Sequence, residues 1–228
     1  MIVKPKYEDI WNVGILFDYW SGKESNRNLT DIELQTKLTS LIMTICSMRP
    51  AEIERISLRH QVICEKTDKA DLRLQPKIKS ALHLHKHPKT RNLTVCPRAT
   101  FFDWLKRIDN KHGRSIRDNN YRALRWNEDI AIPAKRGQIS LRLKKLLEVT
   151  GIKWKQVHSF RLSAATQLVL MGLDEILLNT YTGDARKSKS TNEYYVFAER
   201  LKDNEIAKKL SDTHSQVECN QISSTQQR

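Results

Sequence analysis

The apolar residues of this chain change period twice, and that change limits its fold more than any other feature. Up to about position 56 they recur at helical spacing. Between about 58 and 97 they alternate with polar residues, and from 99 the helical spacing returns. The pattern predicts a mainly helical protein with a small antiparallel sheet inserted near its middle.

The helical stretches have readable ends. Ile10, Trp11, Val13, Leu16, Phe17 and Trp20 mark one buried face of an opening helix from Tyr7 to Trp20, closed at Gly22. Thr30 with Glu33 reads as a capping box that starts a second helix, with Leu34, Leu38, Leu41, Ile42 and Ile45 on its apolar face. That helix is expected to stop near Met48, because Pro50 disfavours helical geometry in Arg49 and then suits the first turn of a short helix to Ile56. Val62–Cys64, Leu72–Leu74, Leu82–Leu84 and Leu93–Val95 read as half-buried strands. Further helices are expected at Ala99–Ile108, Ser140–Val149, Ser159–Met171, Glu175–Tyr181 and Thr191–Leu210, with a polar, irregular stretch at Asn110–Gly137. Residues 1–210 are read as one domain, in which 1–29 form the N-terminal helix and linker. Residues 211–228 are too polar to bury and read as a disordered tail.

Charge points to a partner. Forty Lys and Arg against 26 Asp and Glu give a formal charge of +14, which attracts polyanions and makes nucleic acid the first partner to consider. No stretch reaches the ~20 apolar residues of a membrane span, and the N-terminus lacks a secretory pattern. Cys46, Cys64, Cys96 and Cys219 form no C-x-x-C or regular framework, so a reducing compartment, nucleus or cytoplasm, is expected.

The segment Val157-His158-Ser-Phe-Arg161-Leu-Ser-Ala-Ala165-Thr166 puts a histidine and an arginine on one face at a helix start, a place suited to an anion. It resembles the His-x-x-Arg-His-x-x-Ala-Thr motif of the tyrosine recombinases. Gly172 stands at the helix end seen in that family. Thr182-Gly183-Asp184 stands where the family has Leu-Gly-His or Leu-Gly-Trp. Ser190-Thr191-Asn-Glu-Tyr194-Tyr195-Val-Phe-Ala198 resembles Thr-Thr-x-x-Tyr-x-His-Val-Ala. Upstream, Arg49-Pro-Ala-Glu52 is similar to the family's Arg-x-x-Glu. The resemblance covers roughly Leu34 to Ala198, and the opening Trp11 and Tyr19-Trp20 loosely resemble recombinases of DIRS-like retroelements.

The resemblance implies a catalytic domain that is mainly α with a small three-stranded antiparallel β-sheet. It also implies an enzyme that cuts and rejoins double-stranded DNA through a 3′-phosphotyrosyl intermediate, working as a synaptic tetramer without metal or other cofactor. By its pattern Tyr194 is the nucleophile. Arg49 and Arg161 bind the phosphate oxygens, as bidentate and permanently charged donors can. His158 is a candidate base. A lysine in the turn between the second and third strands protonates the leaving oxygen; Lys89 fits that place, with Lys86 as fallback. Family members usually add an N-terminal clamp domain, which leaves this chain reading as a fragment or as one whose clamp is supplied elsewhere.

Three points stay open at this stage. Asp184 occupies the family's phosphate-donor position with a carboxylate that repels phosphate, so Arg186, Lys187 or Lys189 is a candidate replacement donor. Tyr194 and Tyr195 are adjacent, and only one can face a phosphate. The rival functions are a type IB topoisomerase-like enzyme and a domesticated protein that binds DNA without cutting it. The Arg136–Lys145 charges read mainly as a solvated face with some DNA-backbone contacts. His83, His85 and His87 share a face but lack metal partners, and Glu52 reads as a buttress for an arginine.

Overall fold

The computed structural model describes residues 10–54 except 24, then 56, 62–64, 69–73, 84–86, 90, 92–112, 134–182 except 154, and positions 192, 194–196 and 198. Its elements in chain order are α1 (Gly14–Ser21), α2 (Asp31–Ile45), α3 (Pro50–Glu54), β1 (Val62–Cys64), β2 (Lys69–Arg73), β3 (Leu84–Lys86), α4 (Pro97–His112), α5 (Arg136–Val149), α6 (Ser159–Leu170) and α7 (Glu175–Thr182). The described residues between 192 and 198 are helical as well. The tail from 211 and residues 113–133 lie outside the described residues, and the ends of the stretch expected to be irregular are helical, up to His112 and from Arg136.

The core is built around α2. Its Thr30 cap forms as the sequence predicts: Thr30 Oγ1 accepts from Glu33 N–H at 3.2 Å, and the Glu33 carboxylate accepts from Thr30 N–H at 2.9 Å. Leu34, Leu38, Leu41, Ile42 and Met43 are all buried, and α4, α5 and α6 pack around the helix. A helix buried on most sides needs its polar groups satisfied internally. Thr39 and Thr44 do this by donating to the carbonyls of Gln35 and Ser40 at 2.6 and 2.8 Å. Lys37, also buried, donates from Nζ to Asn26 Oδ1 at 2.8 Å and lies over the Trp20 ring.

The opening helix is shorter than its periodicity suggests. Ile10, Trp11 and Asn12 are not helical, because Asn12 Oδ1 accepts from Gly14 N–H at 2.8 Å and starts α1 there. Trp11 instead reaches α6. Its backbone N–H donates to Ser163 Oγ at 3.0 Å and its indole N–H to Ser159 Oγ at 2.9 Å, with its ring edge-on to Phe160 at 5.3 Å.

The strands pair antiparallel in the order β1-β2-β3, with Ile63 opposite Ala70 and Leu72 opposite His85. Two expectations change here. Leu93–Val95 is a 3-10 turn, not a strand. Asn92 Oδ1 accepts from the Thr94 N–H at 3.0 Å and Cys96 N–H donates to Leu93 O at 3.2 Å, so local bonds replace ladder bonds. Among the described strands Lys86 is the last residue of β3. The residues joining β2 to β3 are 74–83, which carry Lys77 and Lys79. Lys89 itself lies outside the described residues.

Candidate functional site

The first wall of the site is the exit from α2. Cys46 ends the helix, and Ser47 takes the left-handed backbone (φ +52°), a conformation costing about 1–2 kcal/mol for a residue other than glycine. The reversal buries Met48 and turns Arg49 outward. Glu52 then folds back. Its carboxylate accepts from Arg49 N–H at 2.6 Å and stands 4.0 Å from the Arg49 guanidinium. The Arg-x-x-Glu spacing thus closes the first turn of α3, and Glu52 is a buttress as read from sequence.

The second wall is the start of α6. His158 occupies its N-cap position and Arg161 follows one turn later. His158 is exposed, whereas Arg161 is only 7% exposed and donates from Nη2 to Thr182 O at 2.8 Å, at the end of α7. Gly172 closes α6 at φ +88°, with Leu173 N–H bonded to Leu168 O at 3.0 Å, and so turns the chain into α7. Tyr181 of α7 donates its hydroxyl to Thr44 O near the end of α2. Burial, ahead of any neighbouring charge, holds its phenol well above the ordinary range.

The two adjacent tyrosines face different surroundings. Tyr194 is 6% exposed and lines the cavity between these walls. Tyr195 packs toward α7, where its hydroxyl donates to Leu173 O at 3.3 Å. Burial first, and then the Glu175 and Asp174 carboxylates, raise the Tyr195 phenol above its usual value.

The cavity encloses about 380 Å³. Met43, Met48 and Leu162 give it an apolar floor, and Arg49, Arg136, His158, Arg161 and Tyr194 supply the polar groups. Of the six site residues expected from sequence, the structure gathers Arg49, His158, Arg161 and Tyr194; Lys89 and Asp184 lie outside the described residues. Sequence reasoning gave the Arg136–Lys145 run some DNA-backbone contacts but did not place Arg136 in the site. It belongs to a run of interleaved charges that reads as a solvated face, and only its place at the first turn of α5 could have singled it out. That helix starts four residues earlier than its apolar period suggests, with Gln138 Oε1 accepting from Lys135 N–H at 3.0 Å. Among the described residues, no group of three or more His, Cys, Asp or Glu is placed to hold a metal ion, and no helix is long and apolar enough to cross a membrane.

No protein-family profile matches the chain, and no curated protein matches its sequence. Solved structures do. The XerH site-specific recombinase bound to palindromic difH substrate in a post-cleavage complex aligns with a TM-score of 0.59 and 14% identity, over 87% of this chain and 53% of that one. The pre-cleavage complex of XerH with difH gives 0.58 and 14%, over 86% and 51%. The fold is therefore that of the tyrosine recombinases. The chain spans about half the length of the recombinase chains it matches, 53% and 51%.

Proposed function

We propose that this protein is a site-specific DNA recombinase that cuts and rejoins strands through a tyrosine. The observation that carries the reading is the convergence of Arg49, His158, Arg161 and Tyr194 on one cavity from segments far apart in sequence. A phosphodiester entering it meets the guanidinium groups of Arg49 and Arg161, which bind its non-bridging oxygens and stabilise the charge that grows on them during attack. Tyr194 Oη attacks phosphorus with His158 taking its proton. The bond from phosphorus to the 5′-oxygen breaks, and a lysine protonates that oxygen. Lys89 is the assignment by sequence pattern; Lys77 and Lys79, between β2 and β3, are the candidates by strand order. The 3′-phosphotyrosyl bond keeps the energy of the broken one, so a 5′-hydroxyl from a second strand can reseal it.

Exchange between two duplexes requires copies of the chain to assemble on DNA, a tetramer in this reading. The formal charge of +14 favours the duplex as partner. The widely spaced cysteines, with no C-x-x-C pair, suit a nuclear or cytoplasmic setting. The likeness of the opening aromatics to DIRS-like elements favours an origin as a mobile-element integrase.

A nicked duplex that releases the fragment beyond the scissile phosphate tests the reading, by trapping the covalent complex. Adduct formation abolished in Tyr194→Phe and kept in Tyr195→Phe supports it; the reverse pattern refutes the choice of tyrosine. Asp184 gives the rival of a binding protein its footing, and binding without any adduct would favour that rival. Relaxation of a plasmid lacking a recombination site would favour a topoisomerase.

A further inference from the structure

Arg136 is the one guanidinium of the cavity that the family-like motifs leave without a role. It is the first residue of α5, and its backbone N–H donates to Glu54 Oε1 at 3.2 Å. Glu54 is the last residue of α3, and Arg49 stands just before the first. The start of α5 is thus fastened to the far end of the short helix whose near end carries Arg49. At ~1.5 Å per residue these two anchors are roughly 7.5 Å apart along α3, comparable to the separation of consecutive phosphates on one strand. The cavity, about 380 Å³, holds several times the volume of a phosphate group. Arg161 lies deep and bonded to Thr182, whereas Arg136 is exposed at the mouth.

We infer that Arg136 grips the phosphate next to the one held by Arg49 and Arg161, and so sets the register in which the strand enters the cavity. Arg136 is a positioning residue for the strand, and Glu54 holds it in place. The inference rests on the DNA reading above but not on cleavage, because phosphate grip is measured by binding alone.

The test uses the full chain and a duplex selected by it from a random-sequence pool, with neutral methylphosphonate replacing one phosphate at a time. In Arg49→Ala, one replacement that weakens the wild type becomes silent, and this marks the phosphate inside the cavity. In Arg136→Gln, the silent position is expected to be the adjacent phosphate on the same strand. Affinity should fall about tenfold or more, the slope of log affinity against log salt should fall by about one, and thermal stability should be unchanged. Arg136→Lys, which keeps the charge, should restore most of the salt slope. Silence at the Arg49-marked phosphate, or at none, overturns the inference. Binding without covalent adduct refutes the cleavage reading and leaves this measurement standing; no binding to any duplex overturns both.

Discussion

The Arg161 guanidinium donates through Nη2 to the carbonyl oxygen of Thr182 at 2.8 Å, joining the first turn of α6 to the last residue of α7. One arm of the fork is spent on the fold, which fixes the guanidinium at the cavity wall before any ligand arrives.

Arg161→Lys should therefore separate binding from chemistry. A lysine can keep the charge but cannot hold Thr182 O and offer two parallel donors together. Single-turnover adduct formation at saturating DNA is expected to slow by about 10²–10³-fold, with DNA affinity changed far less. A rate within a few-fold of wild type would show that the bidentate grip is not needed.

Trp11 and Ser159 stand 148 positions apart and share a buried bond of 2.9 Å. Trp11→Phe keeps an aromatic ring against Phe160 but strands the Ser159 hydroxyl, and should cost about 1–3 kcal/mol in urea unfolding. Ser159→Ala added to Trp11→Phe should cost less than the sum of the two single changes. Strict additivity would mean that the bond contributes nothing.

Alkaline pH should weaken the fold through Cys46. Burial, and then the neighbouring Cys96 thiol, push the Cys46 thiol up to about 12 from a reference value of 9.0. Between those values the unfolded chain gives up a proton that the folded chain keeps. The contribution is thus present below pH 9 and lost as pH rises toward 12. The stability difference between wild type and Cys46→Ala should shrink or reverse between pH 8 and pH 11; a pH-independent difference would refute this.

Gly137 lies in the first turn of α5, and no atom approaches within 4 Å of where its Cβ would stand. Gly137→Ala should accordingly raise stability by about 0.5–1 kcal/mol, read as a higher urea midpoint with unchanged slope. A lower midpoint would show a contact that the open space does not reveal.

Much of the scaffold is legible in the sequence because its signals are short-range. The Thr30–Glu33 box, the stop before Pro50 and the Gly172 closure each depend on atoms within a few residues. Local signals also mislead where a side chain outbids the pattern. Leu93 and Val95 alternate as in a strand, yet Asn92 draws them into a 3-10 turn, and Asn12 halts the opening helix at α1.

The sequence by itself determined the presence of most helices, the ends at Thr30, Pro50 and Gly172, and the His158–Arg161 and Arg49–Glu52 pairs, because one helical turn fixes residues three apart whatever surrounds them. Only the tertiary structure decided which of Tyr194 and Tyr195 borders the cavity, and that Arg136 joins it. Adjacent helical residues point about 100° apart, so the choice between the tyrosines depends on how their helix is rolled against its neighbours. The contact of Tyr195 with Leu173, 22 positions earlier in the chain, accompanies that roll. Arg136 is fastened to Glu54, 82 positions earlier on the short helix that Arg49 precedes, and no pattern of spacing along the chain encodes such a meeting.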